Sequence, residues 1–254
     1  MRVNYYCSGF DVSNAFWPEL GEKFKNEMNN TKSIVYIPGS PQKVEKAKTK
    51  YVPVFTEHFK RVGIEFEESY LITPEMDSTV AKKLIDNASF IMLMGGDPFA
   101  QKEMCEKLGI LENLKNYTGV MLGFSAGAML MSKYIIIIPC SEEYPDFRIE
   151  PGLNLSEISI YPHNNFDGEE YPDKVCVGDE TYYRNDLLKV AKEYGEFYLL
   201  QDYLDGNGLT NVSLIRTCGS EMEFIIQNNG KIFKATSEGI ELISKEKNNK
   251  IKKI

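Results

Sequence analysis

The residues with the clearest chemical potential stand together at Gly123–Phe124–Ser125–Ala126–Gly127–Ala128. They follow an apolar run, Gly119–Leu122, and precede another with helical spacing. A serine on a tight strand-to-helix turn is forced into a cramped backbone conformation, and small residues two positions to either side keep neighbouring backbone from colliding. Gly123 and Gly127 occupy those positions. The Ser125 hydroxyl then projects over the sheet edge as a nucleophile, and the amides that open the helix, beginning with Ala126, can donate to a developing oxyanion.

A serine nucleophile needs a base that titrates near neutrality, and the chain has two histidines. His58 lies in the helically periodic run Pro53–Arg61, beside Glu57 and Lys60, where a solvent-facing position is expected. His163 ends a strand-like run, Ile158–Tyr161, after the stiffening Pro162 and before a polar loop, and is the expected base. A second glycine turn, Met94–Gly95–Gly96–Asp97–Pro98–Phe99, also follows a strand-like run. It would let backbone approach a ligand closely, with Gly96 as a second oxyanion donor and Asp97 at the substrate. The same residues equally describe a tight turn with Asp97 as helix N-cap and Pro98 at the first helical position. Neither glycine turn is a GxGxxG or Walker loop, so a nucleotide site has little support.

These turns require a sheet beneath them. Strand-like runs at Val3–Cys7, Ser33–Pro38, Glu65–Leu71, Ser89–Met94 and Gly119–Gly123 alternate with helical patterns at Asn14–Asn29, Lys43–Val62, Met76–Asp86, Ala100–Leu108 and Leu111–Tyr117. Apolar strands separated by helices predict an α/β fold, a mostly parallel sheet covered on both faces, with functional loops at the carboxyl ends of its strands. After Lys133 the pattern changes to short strands and polar loops. Phe197–Gln201 and Val212–Arg216 read as strands, and Glu223–Gln227 and Lys231–Ala235 flank Asn228–Asn229–Gly230, a hairpin signal. A single catalytic domain over residues 1–244 is expected, followed by a solvated basic tail over 245–254.

Composition narrows the partners. The 254 residues are 43% hydrophobic, and a chain of this length buries roughly 70–75% of its unfolded surface. It therefore needs no disulfide or structural metal. The net charge of -8 works against a phosphate-tracking groove, so nucleic acid is not an expected partner. Five dispersed cysteines without a CxxC argue for reduced thiols rather than a disulfide framework or zinc cage. The amino terminus lacks a signal-peptide pattern, and the most apolar window, Val120–Ile138, is interrupted by Ser125, Ser132 and Lys133. A cytoplasmic protein without membrane contact is expected.

The order GGD at 95–97, GFSAGA at 123–128 and YPH at 161–163 resembles the peptidase E and cyanophycinase family of serine peptidases. These are similar to class I glutamine amidotransferase domains but carry Ser where those carry Cys. The resemblance runs from about Val3 to Leu209 and includes Ile34–Pro38 as the family's second strand. It implies a flavodoxin-like sheet, Ser125 as nucleophile, His163 as base and then acid, and the amides of Gly96 and Ala126 as oxyanion hole. The family's acid follows a later short strand. Asp202, after Phe197–Gln201, fits that place, and Asp205 in Leu204–Asp205–Gly206 competes for it.

The implied activity is a serine hydrolase that cleaves a small peptide or amide through an acyl-enzyme, without metal or organic cofactor. An esterase would share the triad. A non-catalytic ligand- or partner-binding member of the fold is the alternative, and a homodimer is compatible with either. The resemblance also implies an aspartyl preference served by a basic residue after the histidine, for which Arg184 is the candidate. Between Asn164 and Phe197, however, nine acids face four basic residues. Strict aspartyl specificity is therefore not expected, and neutral or cationic substrates should be accepted at least as well.

Overall fold

The computed structural model describes residues 1–10, 16–142, 144–166, 168–202, 211–245 and 251–253. The first half alternates strands and helices: β1 (Val3–Cys7), α1 (Pro18–Glu27), β2 (Ser33–Gly39), α2 (Val44–Lys46), α3 (Val52–Arg61), β3 (Glu68–Leu71), α4 (Ser78–Asn87), β4 (Phe90–Gly96), α5 (Pro98–Lys107), α6 (Leu111–Asn116), β5 (Val120–Phe124) and α7 (Ala126–Met131). A 3-10 turn, Pro41–Lys43, precedes α2, and a π-helical segment, Ala47–Tyr51, joins α2 to α3. The second half adds β6 (Tyr134–Ile137), β7 (Arg148–Pro151), β8 (Ile160–Tyr161), β9 (Lys174–Val177), β10 (Glu180–Tyr183), α8 (Arg184–Tyr194), β11 (Phe197–Leu200), β12 (Val212–Cys218), β13 (Glu221–Gln227), β14 (Lys231–Ala235), β15 (Ile240–Lys245) and β16 (Ile251–Lys253).

The main sheet runs β16-β13-β12-β1-β5-β4-β2-β3. Its β1, β5, β4, β2 and β3 are mutually parallel, and β12, β13 and β16 extend it antiparallel from β1. Successive side chains of a strand point to opposite faces, and both faces here are apolar. Tyr5, Ile34, Tyr36, Phe90, Met92 and Leu122 meet α1 and α3 through Leu20, Phe24, Phe55 and Phe59. Tyr6, Val35, Ile37, Ile91, Leu93 and Met121 meet α4 to α7 through Ile85, Cys105, Leu114 and Leu130. Two-sided burial is why these strands read as continuous apolar runs rather than alternating ones.

A second sheet, β15-β14-β11-β8, carries β8 and β11 side by side and parallel. It packs with α8 and with the β9–β10 ribbon around Tyr161, Tyr171, Tyr182, Leu187 and Phe233. The pairing around Asn228–Asn229–Gly230 differs from the sequence expectation. Its flanking strands form as expected, but β13 pairs with β12 in the main sheet and β14 with β11 and β15 in the second. The turn is a corner that carries the chain from one sheet to the other. The hairpins of this region are β12–β13, closed by Gly219–Ser220, and β14–β15, closed by residues 236–239.

Candidate active site

The strand β5 ends at Phe124, and the chain reverses at Ser125 into α7 with φ 51° and ψ −120°. That conformation costs a residue with a side chain roughly 1–3 kcal/mol and persists only where the surroundings impose it. The Ser125 amide donates to Cys7 O at 2.9 Å, and its carbonyl accepts from the Met129 amide at 3.0 Å. The flanking glycines are sterically required. A β-carbon on Gly123 would stand 2.5 Å from Met131 Sδ, and one on Gly127 would stand 2.1 Å from Leu93 O.

His163 follows β8 and lies at φ 60°. Its amide donates to Ser8 Oγ at 2.7 Å, and that hydroxyl donates to Leu200 O at 3.2 Å. The residue after β1 thus ties the histidine to the end of β11. In this position His163 Nε2 accepts from Ser125 Oγ at 2.8 Å. His163 Nδ1 lies 2.9 Å from Asp202 Oδ2 and 3.1 Å from Oδ1. Donation from Nδ1 to the carboxylate selects the tautomer whose Nε2 lone pair faces the serine.

Asp202 comes two residues after β11, and its side chain is 8% exposed against 40% for His163. The acid therefore lies beneath the ring while the ring itself reaches solvent. Asn165 holds it from two sides: Nδ2 donates to Asp202 Oδ1 at 3.0 Å, and the Asp202 amide donates to Asn165 Oδ1 at 2.9 Å. Burial of the imidazole disfavours its charged form, but the hydrogen bond and charge of Asp202, with a smaller contribution from Glu180, outweigh it and raise the His163 pKa above 6.5. Burial and the charge of Asp202 together raise the neighbouring Cys7 thiol well above its ordinary value, so it stays protonated.

The glycine pair that ends β4 lies beside the serine. A β-carbon on Gly95 would be 3.4 Å from Ser125 Cβ, and one on Gly96, at φ 147°, would be 2.5 Å from Gly39 C. Bare backbone is what lets the ends of β2 and β4 close up here. Gln101, fully buried on α5, clamps them by donating from Nε2 to Ile37 O at 2.9 Å and to Met94 O at 3.2 Å.

The sequence-derived residues divide clearly. Ser125, His163 and Asp202 are brought into one hydrogen-bonded line, with Ala126 opening α7 and Gly96 ending the adjacent strand β4. Asp97 Oδ1 accepts from the amides of Phe99 and Ala100, which makes it the N-cap of α5. Arg184 is not brought to the serine. It opens α8 and borders a surface hollow with Thr236–Glu241, the turn after β14 and the first residues of β15. Since Phe197 pairs with Ala235 and Leu200 with Ile232, that turn adjoins the start of β11, whereas Asp202 follows its end, about 17 Å along an extended chain. Asp205 lies outside the described residues.

His58 is 3% exposed and packs edge-on to Phe16 and Phe55, contrary to its expected solvent position. Val54 and Phe55 precede it by four and three residues and Phe59 adjoins it, which places it on the buried stripe of α3 while Glu57, Lys60 and Arg61 turn outward. Sequence reasoning missed Ser8, Gly9 and Asn165. The available signals were a polar–glycine pair directly after a central strand and an asparagine two residues beyond the histidine. Among the described residues, no group of three or more His, Cys, Asp or Glu side chains is placed to hold a metal ion, and no helix is long and apolar enough to cross a membrane.

Comparison with known proteins bears on the fold and the family. The fold matches the crystal structure of a peptidase from an acI-B1 Actinobacterium with a TM-score of 0.61 at 15% identity, covering 99% of this chain and 96% of that one. It also matches a candidate peptidase E protein from Listeria monocytogenes EGD-e with a TM-score of 0.53 at 20% identity, covering 90% and 98%. No curated relative matches the sequence. The model of peptidase family S51 matches residues 9–194, most of the chain, and with it the chain belongs to peptidase family S51, the peptidase E family of serine peptidases.

Proposed function

We propose that Ser125, His163 and Asp202 form the catalytic triad of this peptidase and that the amides of Gly96 and Ala126 stabilise the oxyanion. The reading rests on one observation above all: Ser125 Oγ, both ring nitrogens of His163 and the Asp202 carboxylate follow one another at 2.8 and 2.9 Å. In acylation, Ser125 Oγ attacks the carbonyl carbon of a small peptide or amide while its proton passes to His163 Nε2. Asp202 holds the resulting imidazolium through Nδ1. The oxyanion collapses, the C–N bond breaks, and His163 returns the proton to the departing amine. Water, deprotonated by the same nitrogen, then releases the acyl group as a carboxylic acid.

A fluorophosphonate probe with identification of the modified residue by mass spectrometry tests this reading. Ser125 should take the label, Ser125→Ala should fold normally and take none, and His163→Gln should lower turnover by about 10³-fold or more. Labelling at Ser132 instead overturns the assignment of the nucleophile, and labelling at no serine overturns the hydrolase reading and favours a non-catalytic binding role.

A further inference from the structure

A cavity of about 390 Å³ opens beside the serine. Its walls are mostly apolar: Phe10, Tyr51, Phe55, Met94 and Phe124 surround it, with Gly95 on the side facing Ser125 and Gly96 beside Gly39 and Ser40. Lys43 and Lys46 stand at its mouth, both exposed. The ammonium groups of Lys46 and Lys50 lie 5.5 and 5.6 Å from the centre of the Tyr51 ring, within cation–π range. The π-helical segment Ala47–Tyr51 supplies two wall residues, one from each of its ends, and such segments recur at functional sites.

The position of the cavity relative to the triad says which part of a substrate enters it. In the main sheet β5 lies between β1 and β4. His163 and Asp202 rest on Ser8 and Gly9, at the end of β1. Most of the cavity lies on the opposite side, at the ends of β4 and β2. His163 Nε2 must reach the leaving nitrogen, so that nitrogen sits on the β1 side. With the oxyanion turned to the amides, the remaining substituent of the tetrahedral carbon, the acyl residue, is directed toward β4 and β2.

Resting on the triad reading, we infer that this cavity binds the side chain of the residue that donates the acyl group, that this side chain is aromatic or similarly bulky and apolar, and that Lys43 and Lys46 favour an anionic group at its outer end over a free ammonium. The volume admits a ring with room to spare, and the walls offer it aromatic edges and faces with few groups to satisfy a buried charge. The lysines at the mouth weigh against the cationic substrates expected from the acidic segment.

Chromogenic anilides that share one leaving group test the inference. The kcat/KM for succinyl-Phe-p-nitroanilide should exceed that for succinyl-Ala-p-nitroanilide by at least about tenfold, since the ring buries well over 100 Å² more apolar surface. Ala47→Phe should reduce that ratio about tenfold, and Tyr51→Leu, at a half-buried wall position, should reduce it several-fold. The double variant Lys43→Gln/Lys46→Gln should erase the advantage of succinyl-Phe over acetyl-Phe anilide, an advantage that added salt should also weaken. Equal rates for the Phe and Ala substrates in protein whose Ser125 takes the fluorophosphonate overturn the cavity assignment and leave the triad standing. If Ser125 takes no label and no anilide is cleaved, the triad reading falls, and calorimetry decides the cavity separately. Succinyl-Phe-amide binding Ser125→Ala protein more tightly than succinyl-Ala-amide supports it, whereas equal binding overturns it.

Discussion

Asp202 Oδ2 occupies the space in which a side chain at residue 9 would begin: a β-carbon built on Gly9 would lie 2.0 Å from it. Gly9→Ala should therefore push the carboxylate out from under His163. The expected result is a fall in kcat of about 10²-fold or more with KM little changed, since binding surfaces stay in place while the base loses its orientation. A slower rate of phosphonylation at Ser125, measured on the same protein, separates this from a loss of fold.

Asn165 grips both the carboxylate and the amide of Asp202. Asn165→Leu leaves an amide without its acceptor and frees the acid to rotate. Turnover should drop about tenfold and the denaturation midpoint should fall by an amount equivalent to about 1–3 kcal/mol, the cost of an unmet buried hydrogen bond. Unchanged kinetics would show that Gly9 and His163 alone fix the acid.

The His163 pKa is raised, and the proposed triad needs its neutral form. The acidic limb of the kcat/KM profile should therefore lie above 6.5, with activity rising as the ring deprotonates. Asp202→Asn should move that limb to lower pH while depressing the plateau. Stability carries the opposite sign: the raised folded-state value means that the stabilisation from the ion pair is full below about 6.5 and is lost as pH climbs through the folded value. Denaturant titrations of wild type and Asp202→Asn across that interval would show the two curves converging at high pH.

Gly127→Ala places a methyl group 2.1 Å from Leu93 O, a backbone atom with nowhere to retreat between β4 and β5. Destabilisation of about 1–3 kcal/mol or more is expected. His58→Gln should also destabilise, through lost aromatic packing, yet leave the pH profile where it was. Chemical denaturation combined with a pH–rate series distinguishes the two effects for each variant.

The parallel sheet and the serine turn were legible because their requirements are local. Strand runs, helix spacing and the clash-free glycines at 123 and 127 are all properties of adjacent residues. His163 emerged because a nucleophile needs a base and few were on offer. Ser8 and Gly9 did not, since what makes them matter lies 155 residues away at His163 and further still at Asp202. The corner at Asn228–Asn229–Gly230 failed for a related reason. Turn chemistry fixes how the chain bends but not which sheet receives the next strand. His58 was misplaced by weighing its chain neighbours over those three and four residues away.

The placement of β12 against β1 has a consequence for how the protein is made. The strand that bears Ser8 and Gly9 at its end leaves the ribosome well before β12, and it acquires its second neighbour only when residues 212–218 follow. His163 and Asp202 likewise reach Ser125 only after β8 and β11 have paired. Contacts between such distant parts of a chain form late and slowly. A nascent chain truncated before His163 would thus carry a complete serine turn with no imidazole beside it, and one truncated before Asp202 would lack the carboxylate that holds that imidazole.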